Sequence, residues 1–229
     1  MKTTSLHRVN YFDLGLHTGL ELRYALTRVL IPAANKKLID FQAYGFEASE
    51  KLALRLKEQY HPHPELNTTI IHKAISNTED KIKLYRVDLK IQPNEVGNSI
   101  FKTKNNVTDE YEEVEGIIFS KWLKENVPNY HKHFNILKVN IEGAEWHLFN
   151  DMVDNNILQY FTVILGAGHD VDKVSELDCE KYWKLIKDNN INIHRFIVDH
   201  RPERNADIRE LIKEKFKLWK TKANEDNFS

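Results

Sequence analysis

Apolar residues in this chain fall into short runs that alternate with stretches of helical spacing. Residues 9–14 form a strand-like run that stops at Gly15. Residues 18–30 then carry helical spacing, with Thr18 placed as N-cap and Pro32 as terminator. The order repeats. Residues 42–46 are a second strand, and 49–60 a helix with Leu52, Ala53 and Leu56 on one stripe, ended by the run His61, Pro62, His63, Pro64. Residues 69–75 are a third strand, 81–87 an extra edge strand, 114–118 a further strand and 120–125 a short helix. Residues 135–141 are a fourth core strand, followed by a helix over 145–154, and 161–165 are a fifth. A helix over 178–188, a late strand over 191–198 and a charged helix over 206–219 complete the order. Strands alternating with helices predict an α/β fold with a mainly parallel sheet covered by helices. A chain of 229 residues without internal repeats or a low-complexity linker is read as one domain, 1–229.

Polar and glycine residues interrupt this pattern at informative places. The first strand runs into Asp13, Leu14, Gly15, Leu16, His17, Thr18 and Gly19, and a helix follows at once. Two glycines allow a sharp turn and close approach to a ligand, and an acid at the strand end can receive an ammonium group. The next strand ends in Phe46 and Glu47, where a carboxylate can accept ribose hydroxyls. Open α/β sheets bind ligands at such strand ends. A pyrophosphate site would need glycine where His17 stands, so the spacing fits a ligand without pyrophosphate. In the fourth core strand, Lys138, Asn140 and Glu142 alternate with apolar Leu137, Val139 and Ile141. Polar side chains on one face of such a strand are costly unless they serve a cleft or pair with each other. The polar stretch 93–106, with Gly97, Asn98 and Ser99, has the length of a lid, which makes Ser99 a substrate-binding candidate.

Taken in order, these segments resemble the FkbM-type family of S-adenosylmethionine-dependent methyltransferases. The matching elements are DLGLHTG (13–19), Phe46-Glu47-Ala48, Ala74-Ile75-Ser76 and the run from Leu137 to Glu145. Order and spacing hold from about Tyr11 to Asp170. The resemblance implies a class I, Rossmann-like, mostly parallel seven-stranded sheet with helices on both faces. It implies adenosylmethionine across the carboxyl ends of the strands, met by Asp13, Gly15, His17, Gly19, Glu47, Ala74, Ile75 and Asn140, with Lys138 and Glu145 toward substrate. It also implies O-methylation of a hydroxyl on a sugar, a glycan or another small molecule. This chain departs from the family pattern at Asn140, where Asp is usual, and at His17, where Asn is commoner. It departs again after the fifth strand, where Gly168 precedes His169.

Composition narrows the partners. A formal net charge of -1 gives no general attraction to nucleic acid or an acidic membrane, so neither is expected as a partner. The single cysteine, Cys179, precludes an internal disulfide and a zinc site built on several thiolates. Its flanking carboxylates disfavour a thiolate, so it is read as structural. The first ten residues lack a signal-peptide core, and no apolar run approaches a membrane span of about 18 residues. A cytoplasmic setting is the expectation.

A sugar hydroxyl is a poor nucleophile and calls for a base. His169 is the first candidate, with Glu142 second and Asp170 as an orienting partner. Glu142, His169 and Asp170 could together hold Mg²⁺, but Asn140 removes a carboxylate from that set, and metal is left out of the prediction. His147 is expected to pack, His131 and His133 to be exposed, and the tryptophans to be mostly core. The alternatives are a methyltransferase for a natural product, RNA or protein, and a non-catalytic adenosylmethionine-binding module.

Overall fold

The computed structural model describes residues 7–92, 97–166, 170–196 and 202–225. Strands β1 (His7–Leu14), β2 (Ile39–Glu47) and β3 (Thr68–His72) form one half of a sheet. Strands β7 (Phe134–Val139), β8 (Phe161–Gly166) and β9 (Ile193–Arg195) form the other half. The order is β3-β2-β1-β7-β8-β9, and every pairing is parallel. Seven strands were expected; the described residues give this sheet six. After β9 the described chain resumes as helix α7 (Pro202–Glu225), longer than the predicted 206–219.

Alternation along β1 builds two cores. Val9 and Tyr11 face helices α1 (Leu20–Ala25), α2 (Ile31–Asn35), α3 (Glu50–Tyr60) and α7. Phe12 and Leu14 face α4 (Phe119–Asn126), α5 (Glu145–Asp154) and α6 (Glu176–Asp188). Helices therefore cover both faces, as the alternation predicts. No described helix is long and apolar enough to cross a membrane.

Two boundaries differ from the sequence pattern for physical reasons. Pro32 does not end its helix. A π turn over Leu26–Leu30 joins α1 to α2, with Ile31 N–H bonded to Leu26 O. That wider turn relieves the usual conflict between a proline ring and the carbonyl four residues earlier. The segment 69–75 is not one strand. It stops at His72, and Ala74–Ile75 (β4) starts a separate three-stranded sheet, β4-β6-β5, with β5 (Lys81–Val87) and β6 (Val107–Ile117). The predicted edge strand 81–87 thus pairs with β6, antiparallel, and not with the main sheet.

Candidate functional site

The chain runs outward from β1 in one direction and returns beside it as β7, which puts the switch point of the sheet between these two strands. At their carboxyl ends lies a cavity of about 220 Å³. Of the residues singled out by sequence, Gly15, His17, Glu47, Ala74, Ile75, Lys138, Asn140 and Glu142 line it. Asp13, Gly19, Ser99 and Glu145 are not among the lining residues.

Backbone geometry builds the β1–α1 wall. Gly15 and Leu16 N–H both donate to Phe46 O, at 3.0 and 3.1 Å, which ties the turn to the end of β2. Gly15 has φ +84°, and a Cβ there would sit 1.8 Å from Asn140 O. Its missing side chain makes room for the backbone after β7, not for a ligand. Gly19, also left-handed at φ +74°, occupies the N-cap position expected of Thr18.

Glu47 joins two elements. Its Oε2 accepts from His17 N–H at 2.6 Å and its Oε1 from Ser49 N–H at 2.9 Å, so one carboxylate holds both the turn and the start of α3. Burial pushes its pKa up to about 7, despite the pull of those backbone donors toward the charged form.

Asp13 is wholly buried and paired with Lys138 Nζ at 2.9 Å; Lys138 also donates to Gly15 O at 2.7 Å. The ammonium expected from a ligand is therefore supplied by the protein itself, beneath the turn. Burial raises the Asp13 pKa and outweighs the pull of Lys138. Burial acts to lower that of Lys138, yet Asp13, Glu21 and Glu47 hold it above the usual lysine value. Lys138, expected toward substrate, is only 2 % exposed and serves as an anchor.

The alternation predicted through Glu142 stops at Val139, so Lys138, Asn140 and Glu142 do not form one strand face. A turn follows instead, with Glu142 at φ +57° and Gly143 at φ +112°. Glu145, expected toward substrate, turns its carboxylate into this turn. It accepts from Ile141 N–H at 2.9 Å and Gly143 N–H at 2.8 Å. The Glu142 carboxylate pairs with Lys104 Nζ, whose side chain is fully buried and which also donates to Gly97 O at 3.1 Å. Ser99 Oγ donates to Glu142 O at 2.7 Å. The segment expected to be a lid is thus fastened to the turn after β7, and Gly97, Asn98 and Ile100 form one wall of the cavity. Sequence reasoning missed Lys104. A lysine in a polar loop gives no sign of burial until its partner is located.

His169 lies outside the described residues, as do Ala167 and Gly168. Asp170 opens a short 3₁₀ turn, Asp170–Lys173, and its side chain is not among those described. Among the described residues, no group of three or more His, Cys, Asp or Glu side chains could share a metal ion. His147 packs its ring against Phe101, with centroids 5.3 Å apart, and burial lowers its pKa. Trp122 is packed against Tyr44 and Phe46.

A larger cavity, about 450 Å³, lies at the opposite end of the sheet, beside Phe161 and Ile191. The smaller one holds the switch point, the buried carboxylate and the glycine turn, and is the candidate site. No family model, curated protein or solved structure matches the chain.

Proposed function

We propose that the chain is an S-adenosylmethionine-dependent methyltransferase of the class I type, acting on a hydroxyl of a sugar or glycan. The observation that supports it is the switch-point cavity with Glu47 at the end of β2. An apolar slot of Phe46, Ala74 and Ile75 suits an adenine ring. A carboxylate has roughly four acceptor sites, and Glu47 spends only part of them on backbone N–H groups, which leaves capacity for a ribose hydroxyl. Asp13 is committed to Lys138; the cationic end of the cofactor is assigned to Glu21 on its position alone, in the first turn of α1 and lining the cavity. The cavity is smaller than the roughly 300–1,000 Å³ of most small-molecule sites. Admitting cofactor and acceptor together therefore requires the 97–100 wall to move outward.

When bound, adenosylmethionine supplies an electrophilic methyl group. The task left to the chain is to hold the acceptor oxygen in line, exclude water and take up the hydroxyl proton. We assign the proton to His169, with Asp170 orienting its ring. Glu142, committed to Lys104, becomes a positioning residue that sets the resting place of the wall.

Isothermal titration with adenosylmethionine and its demethylated product tests the binding step, and methyl release over a panel of sugar acceptors tests the transfer. Glu47→Ala is expected to weaken cofactor binding by about 1–3 kcal/mol. His169→Ala is expected to lower turnover ~10²–10⁴-fold with cofactor affinity nearly intact. Absence of binding by either compound overturns the assignment. One observation favours a second reading, a non-catalytic binding module: both Asp13 and Glu142 are already paired with buried lysines. Tight cofactor binding without methyl release to any acceptor would select it.

A further inference from the structure

A third cavity, about 330 Å³, lies at the amino-terminal ends of the same strands, remote from the switch point. Its floor is apolar: Val9, Ile39, Phe134 and Ile136 stand near the starts of β1, β2 and β7. Its banks are two helical segments. One is the run through the π turn into α2, which contributes Arg28, Val29 and Ala33; the other is α7, which contributes Ile212 and Phe216.

Charge is confined to the rim, and all of it among the lining residues is positive. Arg28 and Lys36 stand on one bank, Arg209 and Lys213 on the other. Glu210, beside the second bank, contacts Lys213 at 2.7 Å and Arg209 at 3.5 Å. Arg28 and Lys36 have no carboxylate partner among the described residues. Leu38, 56 % exposed, extends the apolar surface to the lip. The π turn that forms one bank is a rare conformation that recurs at functional sites.

An apolar trough whose edge carries cations with no carboxylate partner among the described residues is complementary to a molecule with one anionic head and an extended apolar body. We propose that this groove binds a straight-chain fatty-acid carboxylate, its tail on the strand floor and its head at Arg28 and Lys36. The volume matches a small-molecule site and is too small for a helical peptide. The apolar atoms are recessed between two helices, whereas a membrane-docking face would present them outward. The site does not depend on the methyltransferase assignment.

The test is titration of the full chain with dodecanoate, read by calorimetry and by the fluorescence of Trp219, which packs 5.8 Å from Phe216 between ring centroids. Saturable binding at one site is expected, with dodecanol bound more weakly. Reversing both exposed cations, Arg28→Glu with Lys36→Glu, is expected to weaken dodecanoate about tenfold, the scale of two exposed charge interactions. The thermal midpoint should be little changed. No saturable binding of straight-chain carboxylates overturns the proposal, as does equal affinity in the double variant or equal binding of dodecanol. Vesicles containing phosphatidylglycerol that bind through Arg28 and Lys36, without dodecanoate binding, would assign the patch to a membrane surface and overturn it as well.

Discussion

Glu47 ties the turn after β1 to the start of α3 in one side chain. Its pKa lies near 7 in the fold against an ordinary 4.5, so between those values the folded chain keeps a proton that the unfolded chain has released. The contribution to stability is therefore full below about pH 4.5 and declines as pH rises through about 7, by roughly 3 kcal/mol at 1.36 kcal/mol per pKa unit. Thermal melts at pH 5 and pH 8 should show this decline in the parent chain and a flatter profile in Glu47→Gln; parallel profiles would refute it. Gly15 makes a sharper demand. Gly15→Ala must place a Cβ 1.8 Å from a carbonyl oxygen at a left-handed φ, whereas Gly45→Ala meets only the side-chain tip of Leu16, at 2.6 Å. Urea titration should show Gly15→Ala losing about 4 kcal/mol or more, an exceptional cost for one residue, and Gly45→Ala about 1–3 kcal/mol. Comparable losses would mean that the turn after β1 can relax. Loss of ligand binding in a Gly15 variant thus reports on the fold first.

The element that most changes the site is the segment between β5 and β6, because Lys104 fastens it to the turn after β7. Removing one partner of a buried pair typically costs about 3–5 kcal/mol, since the other charge stays buried and alone. Lys104→Met should lose about that much, with faster amide exchange over 97–107. Adding Glu142→Gln should recover a good part of the loss, and strictly additive losses would show that the two residues act independently. This element also marks the limit of what the sequence discloses. The strand–helix order, the glycine turn and the place of Glu47 at the end of its strand could be read in advance because spacing and steric need act locally. Helix α5 begins and ends where its spacing places it, Glu145–Asp154. Cys179 reads as structural from its flanking carboxylates; its thiol pKa is raised first by donating to Asp172, a partner from outside that run, at 2.8 Å. The partner of each buried charge was not legible. Lys138 reaches Asp13 and Lys104 reaches Glu142 across strands and loops that only the folded chain brings together. The break at His72 was equally hidden, since residues 69–75 read as one continuous β pattern until two different sheets claim its halves.

At the scale of the whole molecule, the main sheet carries the candidate site and the cation-rimmed trough at opposite ends, one between the strand tips of β1, β2 and β7 and one over their starts. Ligands at both should raise the melting temperature independently, each by RT ln(1 + [L]/Kd) in free energy, or about 2.7 kcal/mol at a hundredfold excess over Kd. Differential scanning calorimetry with both ligands present checks this; a combined shift well below the sum would show that the two ends compete. The small sheet has a different consequence. Ala74 and Ile75 pair in parallel with Gly116 and Ile117, and Ser76 N–H bonds to Ile117 O at 2.9 Å. The chain leaves the main body and re-enters it on adjacent strands, but because they run in parallel it leaves past Ile75 and re-enters before Gly116, at opposite ends of the ladder. Everything between those two pairs is a single insertion, held at this neck and again where Lys104 and Ser99 meet Glu142. Splicing it out takes a crossover of about a dozen residues, long enough to run back along the strand, and such a bridge would leave all six strands of the main sheet in their order while unroofing the Glu47 cleft. Such a splice would turn a roofed site into an open one without rewriting the platform beneath, and a different roof could be grafted at the same neck.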